Sequence, residues 1–270
     1  MKTVKHLSVL LAVLLVVSLL VVGFVVNAEE ATVITVTNEE EFAAAMVEAN
    51  ASATIVLAND ITLTNGNTTM GGNFAGTFDG QNHTISGITS TVFAKIVGGT
   101  VKNVTFDGAI TGANRDLATV TVRAEGNATL ENVTSNVNLT VTGGQNDLNA
   151  GGIVGYGKKV AFTNCTYAGT YTAENGGGGG FGGIVGYVNN DGQANTYANC
   201  AFTGKIVVNG EQTGTLNLGA IVGRAKSGAI TITNPTNKGT FELNNAACAY
   251  KFGGIAGTLE DAQNGNPTIL

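Results

Sequence analysis

A parallel β-solenoid is the fold class that this 270-residue sequence predicts, and three observations carry the prediction. Two short motifs recur in step, Gly, Asn and Thr dominate the composition, and no helical period appears beyond residue 64. The first motif is G-G-I-V-G-Y at 151–156 and 182–187, G-A-I-V-G-R at 219–224 and G-G-I-A-G-T at 253–258. The second is V-K-N-V at 101–104, L-E-N-V at 130–133, F-T-N-C at 162–165, Y-A-N-C at 197–200 and I-T-N-P at 232–235. The asparagines Asn103, Asn132, Asn164, Asn199 and Asn234 are 29, 32, 35 and 35 residues apart. A period of this size suits one coil of short strands, stacked on the next at about 4.8 Å. An Asn at each corner tolerates left-handed backbone, and its amide can bond the amide one coil away, so these five form the expected structural ladder.

The elements follow in chain order. Lys2 and Lys5 precede an apolar run from Leu7 to Val26, and Val26-Asn27-Ala28 ends it with a small residue. That is the pattern of a secretory signal over 1–28, cleaved after Ala28. The run of 20 residues is also long enough to span a bilayer, so the alternative is an uncleaved anchor with membrane contact through residues 7–26 alone. Residues 29–64 read as an N-terminal cap. T-V-I-T-V-T at 32–37 alternates as a strand, and Thr37 or Asn38 can cap a helix over about 39–49 whose Phe42, Ala45, Met46 and Ala49 share one face. Strands at 54–58 and 61–64 flank an Asn59-Asp60 turn. Residues 65–270 then hold the repeats, and the short helix covers the first coil's edge. The chain stops about a third of a repeat after G-G-I-A-G-T, so the last edge is expected to be continued or covered.

G-T-F-D-G-Q-N-H-T-I-S-G at 76–87, V-F-A-K-I-V-G-G-T-V-K-N-V-T-F at 92–106 and G-G-I-V-G-Y with T-N-C resemble the GLUG-type repeats of bacterial surface and secreted proteins with pectate-lyase-like β-helices. The resemblance covers about residues 74–258. It implies a right-handed parallel β-helix and an extracellular scaffold. It is specific for architecture rather than activity, and Ile or Val stands here where the family name has Leu.

Charge narrows the partners. The chain carries 13 basic and 19 acidic residues, and without residues 1–28 the balance is 11 to 19, or −8. Such a surface excludes nucleic acid as a general partner. A lyase would need clustered carboxylates for Ca2+ and a basic group, and a glycosidase needs two facing carboxylates. The dense cluster is Asp107, Arg115, Asp116 and Arg123, read as a charged loop with Arg123 ending a strand. It is the candidate binding site and the one place where Ca2+ could sit; no other cofactor is expected. His83 is the sole imidazole beyond the signal, and with Asp79 it reads as a turn rather than an acid–base pair. No G-x-S-x-G elbow and no zinc spacing occur. Of Cys165, Cys200 and Cys248, the first two hold equivalent places in successive repeats and read as inert packing. T-V-T at 35–37 and 119–121 raises an ice-binding face but does not recur in phase.

These readings converge on a secreted or cell-surface scaffold that binds an extracellular glycan or protein without catalysis. A β-helix enzyme acting on acidic polysaccharide is the alternative, and an ice-binding protein the minor one. The expected binding surfaces are the sheet face and the loops near 107–118, 143–150, 173–181 and 189–195. Tyr156, Tyr167, Tyr171, Tyr187 and Tyr197 are the aromatics available for stacking, with most of them expected in the core.

Overall fold

A computed structural model describes residues 32–113, 116–142, 148–174, 177–189, 194–210, 212, 214–226, 230–244, 249–260 and 268–269. The signal segment 1–28, Arg115 and Cys248 lie outside the described residues.

The helix α1 spans Glu39–Ala45. Asn38 sits in extended backbone and its side chain accepts the Glu41 N–H at 3.0 Å. Glu41 reaches back to the Thr37 N–H at 2.7 Å, so two donors at the helix start are satisfied reciprocally. Phe42, Ala45 and the following Met46 are buried. The helix ends four residues earlier than the periodicity predicts. Met46 leaves helical backbone at φ −83°, ψ 48°, and Asn50 donates its side-chain amide to the freed Ala45 carbonyl at 3.1 Å. A single 3₁₀ turn, Glu48–Asn50, follows.

Beyond the helix the chain winds as a parallel β-solenoid. Each full coil visits four stacks of strands. The lateral stack holds Asp116–Ala118, Leu148–Gly151, Gly179–Gly182, Leu216–Gly219 and Tyr250–Gly253, a separate five-stranded sheet. The platform stack follows, with Met70–Phe74, Phe93–Val97, the first parts of Thr121–Ser135 and Val154–Thr163, then Val185–Asn189, Val222–Lys226 and Ala256–Leu259. A ladder stack comes third and ends at the asparagine corner. A closing stack, with Asn138–Val141, Thr170–Ala173, Lys205–Val208 and Thr240–Leu243, completes the turn. The cap strands Val33–Val36 and Thr54–Leu57 pair in register and lead directly into the ladder stack.

Register lines up like with like. Ile34, Ile55, Phe78, Val101, Leu130, Phe162, Tyr197 and Ile232 form one inward column of the ladder stack. Within it the Phe162 and Tyr197 rings stack with centroids 5.0 Å apart. Such a column is why a one-residue slip is forbidden: it would turn every one of these side chains out to water.

The five asparagines behave as the sequence predicts. All have φ between 50° and 54°. Asn132 donates to Asn103 at 2.8 Å, Asn164 to Asn132 at 2.9 Å, Asn199 to Asn164 at 3.2 Å and Asn234 to Asn199 at 3.2 Å. Asp79 heads the chain, since Asn103 donates to its Oδ1 at 3.1 Å. A second amide column escaped the sequence reading. Asn209 donates to Glu174 at 3.3 Å and Asn244 to Asn209 at 2.8 Å, at the corner after the closing stack.

The G-G-I-V-G motif makes the corner between lateral and platform strands, where the two backbones touch. A Cβ on Gly186 would lie 2.5 Å from the Ala150 backbone nitrogen, and one on Gly183 would lie 2.2 Å from the Ala220 carbonyl oxygen. Only glycine admits that approach.

Candidate ligand-binding face

The sixth residue of each G-G-I-V-G-Y repeat points outward on the platform stack. Register places Lys95, Arg123, Tyr156, Tyr187, Arg224 and Thr258 in one column. Two residues on, the same strands carry a second column of Glu125, Lys158, Asn189, Lys226 and Glu260. A third runs alongside on the lateral stack: Asp116, Asn149, Gly180, Asn217 and Lys251. The columns are joined across the sheets. Thr258 Oγ1 donates to Asn217 Oδ1 at 2.6 Å, and a Cβ on Gly180 would lie 3.2 Å from Arg224 Cβ.

At the centre are two tyrosines. The Tyr156 and Tyr187 rings meet edge to face at 5.6 Å, and each carries an arginine over it, Arg123 at 4.3 Å from the Tyr156 centroid and Arg224 at 5.5 Å from that of Tyr187. Tyr156 also donates its hydroxyl to the Asn189 carbonyl at 3.2 Å. Carboxylates fix the arginines from the second column. Glu260 takes Arg224 through two bonds, 2.9 and 3.1 Å, and Glu125 is shared by Arg123 and by Lys95 at 3.0 Å. Partial burial alone would raise the Glu125 pKa, but Arg123 and Lys95 outweigh it and hold the carboxylate below its usual range. The bonds from Arg224 do the same for Glu260, with help from Lys226 and Lys251. Arg123 titrates above its usual range, since Glu125, Tyr156 and Asp116 outweigh its burial. Next to Arg224 the lateral and platform stacks leave a depression of about 380 Å³ lined by Thr215, Asn217, Arg224, Lys251 and Glu260 among others.

The predicted charged cluster is therefore half assembled. Asp116 and Arg123 do meet electrostatically across the corner. Arg123 lies inside the strand Thr121–Ser135 rather than ending one, because the alternation that suggests a strand end continues through it into the asparagine corner. Asp107 is exposed at a different corner, between the ladder and closing segments, and contributes nothing here. Arg115 falls outside the described residues, as do parts of the loops near 107–118, 143–150, 173–181 and 189–195. Among the described residues no three His, Cys, Asp or Glu side chains gather closely enough to hold a metal ion. Sequence reasoning missed Arg224, Glu125, Glu260 and, apart from Asp116, the lateral column. For Arg224 the signal was present in the repeat itself, where Tyr156, Tyr187 and Arg224 hold the sixth place of the first three copies.

The remaining candidates resolve simply. Tyr167, Tyr171 and Tyr197 are buried, with their pKa values raised by burial, which leaves Tyr156 and Tyr187 at the surface. Thr119 and Thr121 are fully buried, so this T-x-T pair presents no face to ice. Cys165 and Cys200 are free, buried and adjacent; burial pushes the Cys165 thiol up. Asp79 accepts the Gln81 N–H at 3.0 Å and the Lys102 ammonium at 3.2 Å, whereas His83 turns to Asp60 at 3.1 Å. The two groups are not a pair.

No family model matches the chain, and no curated protein does. Among solved structures it is similar to a protein from Bacteroides ovatus described as a "putative immunoglobulin A1 protease", at 19% identity and a TM-score of 0.58, over 79% of this chain and 68% of that one. At that identity the likeness concerns the fold.

Proposed function

We propose that this chain is an exported, non-catalytic β-solenoid scaffold, secreted or held at the cell surface, that binds an extracellular glycan through the three-column face. The observation that carries the reading is the Tyr156–Tyr187 pair set between Arg123 and Arg224 on successive rungs of one sheet. Tyrosine rings and the guanidinium groups over them, held by neighbours on both sides, offer a surface that loses little freedom on binding, and a rigid sheet keeps their spacing fixed. Sugar rings stack on such a surface while their hydroxyls bond the flanking polar groups.

Catalysis finds less support. The platform carboxylates Glu125 and Glu260 are ionised and occupied by cations, so neither is poised as a general acid near neutrality. The protease name of the Bacteroides ovatus protein gains no support from the nucleophiles here either, since both described thiols are buried and His83 is bonded to Asp60.

Glycan-array and calorimetric binding by the mature chain test the reading. Tyr156→Ala with Tyr187→Ala should weaken binding roughly tenfold or more with the circular dichroism spectrum unchanged. Equal binding by wild type and the double variant would remove the face from consideration. Release of new reducing ends or unsaturated products from a bound glycan would refute the non-catalytic part.

A further inference from the structure

Charge on this molecule is segregated, and the segregation picks a ligand class. The three columns hold Lys95, Arg123, Lys158, Arg224, Lys226 and Lys251 against three carboxylates, Asp116, Glu125 and Glu260. The other described residues hold four basic and ten acidic side chains. Among the described residues a surplus of three positive charges thus lies on one strip, against a deficit of six elsewhere.

The arrangement within the strip is equally selective. Arg123 and Arg224 are committed to tyrosine faces and to Glu125 and Glu260, so they shape the platform. Lys226 and Lys251 are exposed and Lys158 is half-buried; in the second column Lys158 shares the Tyr156 rung and Lys226 the Arg224 rung, while Lys251 lies in the lateral column one rung beyond Arg224. An acid group on a sugar lying over Tyr156 would therefore find the Lys158 ammonium on its own rung, and a polymer continuing along the axis would reach Lys226 and then Lys251. Rungs about 4.8 Å apart repeat at roughly the rise of one sugar residue, so a polymer can lie along the solenoid axis and meet successive rungs.

We infer that this face binds a polyanionic glycan, bearing carboxylate or sulfate groups, laid along the solenoid axis over Tyr156 and Tyr187 with its acid groups toward Lys158, Lys226 and Lys251. The inference rests on the proposed reading of the face as a glycan site and adds the charge of the ligand to it. Opposite charge on a partly desolvated strip favours association, and it does so less as salt rises.

The test titrates the mature chain with three polymers of matched length: a neutral glucan, a polyuronate and a sulfated glucan. The expected result is binding of one or both polyanions, weakened about tenfold between 50 and 300 mM NaCl, with the neutral glucan at least tenfold weaker. Lys158→Gln, Lys226→Gln and Lys251→Gln together should weaken polyanion binding about tenfold, while Lys238→Gln, exposed at another corner, leaves it unchanged. Polyuronate binding alone assigns the carboxylate, sulfated glucan alone the sulfate. Tyrosine-dependent binding of the neutral glucan as tight as that of the polyanions would overturn the inference and leave the glycan site standing. Absence of any tyrosine-dependent binding would overturn both. Polyanion binding that survives the triple lysine substitution, or that Lys238→Gln weakens equally, would also overturn the inference, since it would be a property of lysines in general.

Discussion

Replacing Asn199 by alanine removes an amide that both donates to Asn164 and accepts from Asn234, and it leaves a β-carbon at φ 54°. Left-handed backbone costs a non-glycine, non-Asn residue about 1 kcal/mol, and each lost hydrogen bond about as much again, so urea denaturation should show a loss of roughly 2–3 kcal/mol. Asn199→Gly, which keeps the backbone free, should recover part of it; equal losses would mean that the amide bonds contribute everything. Asp79 supplies a pH prediction at the same scale. Burial raises its pKa, yet the Gln81 N–H, the Asn103 amide and Lys102 together hold it below the usual carboxylate value. A carboxyl with a depressed folded pKa stabilises the fold above its unfolded pKa and stops doing so as pH falls through the folded one. Stability should therefore drop in acid below about pH 4, and Asp79→Asn should flatten that part of the profile. The asparagine corners were legible in the sequence because one residue type solves both the backbone and the hydrogen-bond problem. Asp79 was legible only as a turn, since its place at the head of the ladder depends on a register that no local pattern states.

At the scale of the element, the repeat motif states its phase in the sequence but not its shape. G-G-I-V-G recurs because lateral and platform strands meet at backbone contact, and glycine is the record of that contact. Gly186→Ala puts a methyl group 2.5 Å from the Ala150 nitrogen, whereas Gly254, in the last copy of the motif, has nothing within 4 Å of the same added atom. Thermal unfolding should thus show a loss of several degrees for Gly186→Ala and almost none for Gly254→Ala. A similar loss at both would mean that the glycines matter for the unfolded chain rather than for packing. The helix shows the converse error. Its start was legible, because Asn38 and Glu41 act through neighbours in sequence, but its end was not, because Asn50 folds back on Ala45 and overrides a continuing apolar period. The binding face was half legible for the same reason: Asp116 and Arg123 are close along the chain, while Arg224 joins Tyr187 only through the stacking of coils.

Along the solenoid of residues 32–260 each coil touches the coil before and the coil after, so its stability is a sum of nearest-neighbour contacts and local opening should start where a described neighbour is missing. The two ends are unequal. At the first, α1 lays Phe42 and Met46 over the coil, and both are buried. Toward the other, Phe252 is 53% exposed, and Leu243 and Leu259 are exposed too. The strand Ala256–Leu259 pairs with Val222–Lys226 on one side and, among the described residues, with no strand on the other. Hydrogen exchange followed by mass spectrometry should therefore be graded along the axis. Amides in 154–163 and 185–188 have a paired strand on both sides and should exchange slowest, those in 54–57 next because the cap shields them, and those in 250–259 fastest. Uniform protection would mean that all coils open as one cooperative unit. Fast exchange at 54–57 would mean that the helix contributes little to holding its end. The platform bears on function here, since Tyr156 and Tyr187 lie in the slowest rungs while Lys251, at the edge of the same face, lies in the fastest. A polyanion that engages Lys251 should then slow exchange in 250–259 more than anywhere else, and a ligand confined to the tyrosines should leave that segment as it was.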